Sequence, residues 1–244
     1  MDIPNGLISA LRTAERVAVL TGAGVSQESG LRTFRDLQNG LWSEYRPEDL
    51  ASAEAFRRNP GLVWEWYTMR REKARSAEPN AGHFALAEME RRFPTFTLIT
   101  QNVDGLHQKA GAHRVIELHG NIHQVICFDC GLLARDWDAG GGEVPLCTAC
   151  GGMLRPNVVW FGETLPPQAL AAAVEAARNC QVFFSVGTSG LVQPAASLAY
   201  GARNNGAVLV EINAEPTPLT PKCDYALHGK SGEILPALVK TLWG

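Results

Sequence analysis

Val17-Ala18-Val19-Leu20-Thr21-Gly22-Ala23-Gly24 decides the fold. Four apolar residues in a row are too few for a helix and read as a strand buried on both faces. The Gly-Ala-Gly that follows allows the chain to turn tightly. The same pattern returns at Phe96-Thr97-Leu98-Ile99-Thr100, Val182-Phe183-Phe184-Ser185-Val186 and Ala207-Val208-Leu209-Val210-Glu211-Ile212. Each run is short, rich in β-branched or aromatic residues, and ends in polar residues or glycine. Helical patterns lie around them: Leu7-Ile8-x-x-Leu11, Ala81 to Arg92, Pro167 to Arg178, Pro194 to Arg203 and Glu233 to Leu242. Strands apolar on both faces, alternating with helices, predict an α/β fold whose parallel sheet is covered on both sides. In such sheets ligands bind at the C-terminal ends of the strands.

Two excursions interrupt the alternation. Residues 37–76 carry aromatic helical segments with Trp64, Trp66 and Tyr67, and residues 120–158 carry four paired cysteines and the patch Ala139-Gly140-Gly141-Gly142. Together they are expected to form a small module, leaving 1–36, 77–119 and 159–244 to the sheet domain. The 244 residues are 45% apolar and 19% charged, which excludes disorder and coiled coil. A net charge of −3 gives no electrostatic reason for nucleic-acid binding. Met1-Asp2-Ile3-Pro4 does not resemble a signal peptide, and the uncharged stretch between Arg178 and Arg203 is broken by Gly, Pro, Ser and Gln. A soluble, cytoplasmic chain with no membrane span is the expectation.

The cysteines stand as Cys127-x-x-Cys130 and Cys147-x-x-Cys150, with 16 residues between the pairs. Such spacing matches a tetrathiolate zinc site. Four thiolates fill a tetrahedral zinc and leave no open position, so the metal is expected to be structural. Cys180 and Cys223 have no partner motif and read as small core residues.

Gly22-Ala23-Gly24 after a strand could bring backbone N–H groups to a pyrophosphate. Read alone it fits a structural turn equally well, because the third glycine of the dinucleotide fingerprint is missing and no acid closes a second strand. Ser29-Gly30-Leu31-Arg32-Thr33-Phe34-Arg35-Asp36 then adds an aromatic and two cations. Gln101, Asn102 and Asp104 follow the second strand, where they could hydrogen-bond a ribose and a carboxamide, although Asp104 could also cap a helix. His119 ends the strand Val115 to Leu118 and has the acidity of a general base. Gly187-Thr188-Ser189 closes the next strand with hydroxyls and N–H groups, as a phosphate or ribose contact or as an ordinary turn.

These segments, taken in order, resemble the sirtuins, the NAD-dependent protein-lysine deacylases. The resemblance runs through Gly22-Ala23-Gly24-Val25-Ser26, Ser29 to Arg35, Thr100-Gln101-Asn102-Val103-Asp104-Gly105-Leu106-His107 and Glu117-Leu118-His119-Gly120. It continues through both cysteine pairs, Leu154 to Glu163, Gly187-Thr188-Ser189, Glu211-Ile212-Asn213 and Gly229-Lys230-Ser231, covering about residue 8 to 242. Leu31-Arg32 and Val103 depart from commoner family residues without removing a functional side chain. The resemblance implies a Rossmann-like sheet domain with a zinc-ribbon and helical module. It further implies NAD as a consumed co-substrate and one structural zinc on Cys127, Cys130, Cys147 and Cys150.

The same resemblance places the nucleotide among Gly22, Ala23, Gly24, Val25 and Ser26, with Thr33, Phe34, Arg35 and Trp42 beside them. Gln101, Asn102, Val103 and Asp104 follow, then Gly187, Thr188 and Ser189, and finally Asn213, Ala214, Glu215 and Ser231. His119 becomes the general base, with Asn102 and Asp104 as its catalytic companions. The implied reaction has the acyl oxygen attacking the ribose C1′ as nicotinamide leaves. His119 then takes a proton from the ribose hydroxyls, and water finally releases lysine and O-acyl-ADP-ribose. Val158 to Phe161 resembles the strand that pairs with an extended acyl-lysine peptide, Val159 offering its carbonyl and Phe161 walling the lysine tunnel.

Trp66-Tyr67-Thr68-Met69-Arg70 resembles the Tyr-x-x-Arg signature of the class III branch, which removes succinyl and malonyl groups. A phenol and a guanidinium three residues apart share one helix face and could hold a carboxylate, with the small Ala51 leaving room. A core tyrosine beside a solvated arginine would give the same letters. The expected partners are acyl-lysine side chains of proteins, met by a monomer. A mono-ADP-ribosyltransferase would share the first chemical step. An NAD-linked dehydrogenase would need a hydride acceptor, and a zinc-ribbon binding module would have no use for His119.

Overall fold

Alternate side chains of the central strands enter two separate apolar layers, as a run such as Val17 to Leu20 demands. The computed structural model describes residues 3–31, 46–137 and 143–244. Its first half contains α1 (Asn5–Thr13), β1 (Arg16–Thr21), α2 (Pro47–Leu50), α3 (Ala53–Arg58), α4 (Pro60–Ser76), α5 (Ala81–Arg92) and β2 (Thr95–Thr100). Next come α6 (Leu106–Lys109), β3 (Val115–Glu117), β4 (Gly120–Cys127), β5 (Leu133–Ala134) and β6 (Leu154–Val158). The chain ends with α7 (Pro167–Asn179), β7 (Val182–Val186), α8 (Ser197–Asn204), β8 (Val208–Asn213), β9 (Tyr225–His228) and α9 (Ser231–Trp243).

Val17, Val19, Phe184, Val186, Val210 and Ile212 face the layer covered by Leu7 of α1, Leu86 of α5 and Ile234 of α9. Ala18, Leu20, Phe183 and Leu209 face the layer covered by Ala173 of α7 and Leu198, Ala199 and Ala202 of α8. Each fully buried Leu, Ile or Phe contributes roughly 1.5–3 kcal/mol, so two such layers hold the sheet firmly. The six strands run in the order β3-β2-β1-β7-β8-β9. Every pair is parallel. The order reverses direction between β1 and β7, and that reversal leaves a crevice at the strands' C-terminal ends.

The excursions form a second core. Phe56 of α3 and Trp66 and Tyr67 of α4 meet Ile122, Val158 and Trp160 from the cysteine-bearing segment. Trp64 packs with Val125, Cys127, Cys147 and Leu154. The antiparallel sheet β5-β4-β6 carries these residues, and Pro156 is tolerated because β6 is an edge strand. Only Leu118 and His119 separate β3 of the large sheet from β4 of the small one. Gly120 makes that corner possible: its φ is +79°, and a Cβ would lie 2.1 Å from the Asn157 carbonyl oxygen.

The strand expected over Val158 to Phe161 overlaps the regular strand Leu154–Val158 at Val158, and Phe161 makes an isolated bridge to Ser52. The buried Arg155 binds Glu163, and Glu163 accepts the Trp160 N–H at 2.8 Å while its own N–H reaches Trp160 O at 3.0 Å, which closes a turn over residues 160–163. The edge strand β9 was not foreseen, because Tyr-Ala-Leu-His alternates without an apolar run.

Candidate functional site

The register of the sheet aligns the strand ends. Thr21 pairs with Thr100 on one side and Val186 on the other, Thr100 with Glu117, and Val186 with Ile212. The loops that leave β1 and β7 touch directly. A Cβ on Gly22 would lie 2.8 Å from the Gly187 oxygen, and one on Gly24 2.8 Å from the Gly187 Cα. The glycines therefore serve close loop-to-loop approach. Gly22 N–H donates to Val186 O at 3.0 Å, Gly24 N–H to Gly187 O at 2.8 Å and Val25 N–H to Gly22 O at 3.1 Å. These three N–H groups are bound within the protein and stitch the crevice together.

Side chains complete the floor. Ser26 Oγ donates to Asp104 Oδ2 at 2.8 Å, and Asn102 Nδ2 donates to Ser26 Oγ and to Gly22 O, both at 3.1 Å. Asp104 Oδ1 also accepts the Leu106 N–H at 2.9 Å, so one carboxylate binds both Ser26 and the first N–H of α6. Gln101 Nε2 donates to Thr188 Oγ1 at 3.0 Å, and Asn213 Nδ2 reaches Thr188 O at 3.4 Å. Asn80, the N-cap of α5, donates to Val25 O at 2.7 Å and to Ser29 Oγ at 3.0 Å. Beneath lies Thr21, whose hydroxyl meets Thr100 Oγ1 at 2.8 Å and His107 Nε2 at 2.9 Å. Nothing in the sequence marks Asn80 for this neighbourhood or joins Thr21 to His107. His123 carries no sequence signal either, and its Nε2 donates to the Asp104 carbonyl at 2.8 Å.

His119 Nδ1 lies 3.0 Å from the Gln101 carbonyl oxygen. A carbonyl only accepts, so Nδ1 carries the proton of the neutral ring and Nε2 keeps the basic lone pair. Burial lowers the pKa of the ring below 6.5, opposed by that hydrogen bond. His119 is therefore neutral and basic at pH 7.

Val159 N–H is bound to His119 O and Phe161 N–H to Ala51 O, both at 2.9 Å. These bonds fix the segment 159–161 beside the histidine, and the Phe161 ring is left exposed. Arg155 lies with its guanidinium 3.4 Å from the centre of the Trp160 ring, a support that the sequence did not reveal. Tyr67 and Ala51 are buried in the module core. The Trp160 indole N–H donates to the Tyr67 hydroxyl at 3.0 Å. Burial pushes the phenol's pKa up to about 12, so it stays protonated. Burial also lowers the pKa of Arg70, with Tyr67 and Asp104 acting in the opposite sense.

Cys127, Cys130, Cys147 and Cys150 converge with their sulfurs all within 4.8 Å of one another. Cys127 and Cys150 sulfurs are 3.4 Å apart and those of Cys130 and Cys147 3.9 Å. Thiolates about 2.3 Å from one tetrahedral zinc would be roughly 3.8 Å apart, so the donor set fits that ion. The two knuckles match: Gly131 N–H binds Cys127 O and Gly151 N–H binds Cys147 O, each glycine in the left-handed region.

The structure thus gathers Gly22, Ala23, Gly24, Val25, Ser26, Gln101, Asn102, Asp104, Gly187, Thr188 and Asn213 around the crevice, with His119 at its edge. Val103 joins through its carbonyl, which accepts the Ile122 N–H at 2.9 Å and ties module to sheet. Ser189 is half-buried, Ala214 and Glu215 are exposed beyond β8, and Ser231 is buried at the start of α9. Thr33, Phe34, Arg35 and Trp42 lie outside the described residues. No helix among the described residues is long and apolar enough to cross a membrane.

Residues 22–194 match the model of the Sir2 family. An NAD-dependent protein deacylase of Aquifex aeolicus is 54% identical over 216 residues, covering 88% of this chain and 90% of that one. One from Ralstonia nicotianae is 50% identical, covering 94% and 93%. A Sir2 homologue solved with NAD aligns with a TM-score of 0.94 at 45% identity, covering 99% of this chain and 94% of that one. Sir2Af2 bound to a myristoylated histone peptide aligns with a TM-score of 0.77 at 39% identity, covering 96% and 94%. The chain belongs to the Sir2 family.

Proposed function

We propose that this chain is an NAD-dependent protein-lysine deacylase that uses the crevice between β1 and β7 for NAD and the segment 159–161 for the acyl-lysine. The observation that carries the reading is His119, held through Nδ1 by the Gln101 carbonyl, beside the bound set Ser26, Asn102 and Asp104. NAD as co-substrate would supply an electrophilic ribose carbon and a leaving nicotinamide. Gln101, Asn102, Val103 and Asp104 would orient its nicotinamide ribose, with Thr33, Phe34, Arg35 and Trp42 closing over it. Gly187, Thr188, Ser189, Asn213, Ala214, Glu215 and Ser231 would hold its other end, and Gly22 to Ser26 would line the floor. His119 Nε2 would accept the ribose hydroxyl proton.

For the substrate, Val159 would offer its carbonyl to the lysine N–H, and Phe161 would wall the alkyl chain. Tyr67 and Arg70, with Ala51 leaving space, would favour succinyl and malonyl over acetyl chains. The Tyr67 oxygen already accepts from Trp160, so its own proton is available to a carboxylate. The zinc on Cys127, Cys130, Cys147 and Cys150 has a structural role, holding the module made by 37–76 and 120–158 against the domain made by 1–36, 77–119 and 159–244. The net charge of −3 favours protein over nucleic-acid substrates, and the NAD-dependent reaction on protein lysines suits a cytoplasmic location.

Incubation with NAD and a succinyl- or acetyl-lysine peptide should yield nicotinamide, free lysine peptide and O-acyl-ADP-ribose, identified by mass spectrometry. ADP-ribosylated peptide or reduced nicotinamide in their place would refute the reading.

A further inference from the structure

Glu211 sits in β8 on the same face as Leu209 and is 1% exposed. A carboxylate so placed must be paired. Its partners are two hydroxyls of the loop that follows: Thr217 Oγ1 donates to one oxygen and Thr220 Oγ1 to the other. Each hydroxyl is also an acceptor. Thr217 Oγ1 takes the Leu219 N–H at 3.1 Å, and Thr220 Oγ1 takes the Thr217 N–H at 2.8 Å. With those lone pairs engaged, the hydroxyl protons are directed into the carboxylate. Glu211 therefore closes a ring of bonds that fixes Thr217 to Thr220 as a turn.

That turn lies against the neighbouring loop. The nearest atoms to a Cβ built on Gly190, two residues beyond Thr188, would be Leu219 Cβ and Thr217 Oγ1, both at 3.8 Å. The segment between Glu211 and the turn is consequently held at both ends, Asn213 by Thr188 O and Thr217 by the acid.

We propose that Glu211 is a positioning residue for the adenosine half of NAD, acting through the Thr217–Thr220 turn to hold Asn213, Ala214 and Glu215 at the strand ends. This rests on the reading of the crevice as the NAD site. If the turn is released, the ligand must re-order it on binding. Fixing one residue's backbone costs about tenfold in affinity, so a loss of about that size is expected.

Thr220→Val removes one arm of the ring and Thr217→Val the other, while each leaves the acid one partner. Both variants should weaken ADP-ribose binding by calorimetry and raise KM for NAD about tenfold. KM for the acyl-peptide and inhibition by nicotinamide, which belongs to the other half of the cofactor, should stay within twofold. Glu211→Gln keeps one accepting oxygen and should fall between parent and the valine variants. Combining it with Thr220→Val should add little to the single change. Unchanged ADP-ribose affinity in folded Thr217→Val and Thr220→Val proteins would overturn the inference, as would equal losses for NAD and peptide. A parent protein that binds no ADP-ribose would instead refute the NAD-site reading, and this inference with it.

Discussion

The crevice at the end of the large sheet and the cysteine knuckles of the small one differ in what they need. In the crevice the protein's polar groups already bind one another: Ser26 to Asp104, Asn102 to Ser26, Gln101 to Thr188. Two apolar layers support that arrangement from below. In the knuckles four sulfurs approach within 4.8 Å, and their support includes the N–H groups of Cys130 and Gly152, both at 3.4 Å from sulfur. Thiolates that close repel one another, and a bound zinc offsets the repulsion. The crevice is thus organised by burial and internal hydrogen bonds, whereas the knuckles present a donor set that suits a metal.

The largest expected effect separates the two regions directly. Cys127→Ser should release the zinc, measured by metal analysis, and melt the small module while the large sheet keeps its helical signal. Structural zinc binding is worth on the order of 10 kcal/mol, so no partial folding of the knuckles should survive. Deacylation should disappear with it, since the Ile122 N–H ties the module to the Val103 carbonyl beside the crevice. A metal-free Cys127→Ser protein with full activity would dissolve the contrast.

His119→Ala sharpens it from the other side. Nothing in either core depends on the imidazole, so the protein should fold and bind NAD as before. Loss of a general base costs about 10²–10⁴-fold in turnover. Nicotinamide exchange should suffer less, because the base acts after the first step. For the parent, burial lowers the His119 pKa, so the acid limb of kcat/KM should lie below pH 6.5. An acid limb above that value, or turnover retained in the alanine variant, would remove His119 from the mechanism.

A third test asks whether the module also reads the substrate. Arg70→Met should reduce desuccinylation by about ten- to a hundredfold, the worth of a charge-assisted hydrogen bond, and leave deacetylation within a few-fold. Tyr67→Phe should act in the same direction but less. Equal losses on both substrates would make Arg70 a support of the fold.

The difference between the regions also explains what the sequence revealed. Strands apolar on both faces announce themselves locally, as do paired cysteines and the helix Ala81 to Arg92, which the structure reproduces residue for residue. Contacts made only by the tertiary fold do not. Arg155 looks like any charged residue until Glu163 and Trp160 close around it, and Glu211 looks like the end of a strand until two threonines return to it. Gly22 and Gly24 announce a tight turn, but the loop of Gly187 that lies against them belongs to the tertiary fold.

His83 and His107 provide the last test, on the burial side of the comparison. Their rings lie 4.9 Å apart in the core next to the crevice. Burial is the main cause that lowers their pKa values, to about 4 for His83 and about 3 for His107. Asn80 N–H donates to His83 Nδ1 at 3.3 Å, and Thr21 occupies His107 Nε2, so both rings are built in as neutral groups. In the unfolded chain each titrates at 6.5. Their contribution is thus fully present above pH 6.5 and is lost as pH falls toward 4 and then 3. Well below 6.5, each imidazole should lower stability by about 1.4 kcal/mol per pH unit. Urea unfolding of the parent should show stability falling as pH drops from 6.5 to 5, with His119 adding in the same direction, and His107→Asn should remove the part that belongs to His107. The zinc knuckles lack such histidines, so the slope should belong to the large domain's transition. Its appearance in the module's transition, or its persistence in the variant, would show that the two imidazoles are not what makes the sheet domain sensitive to acid.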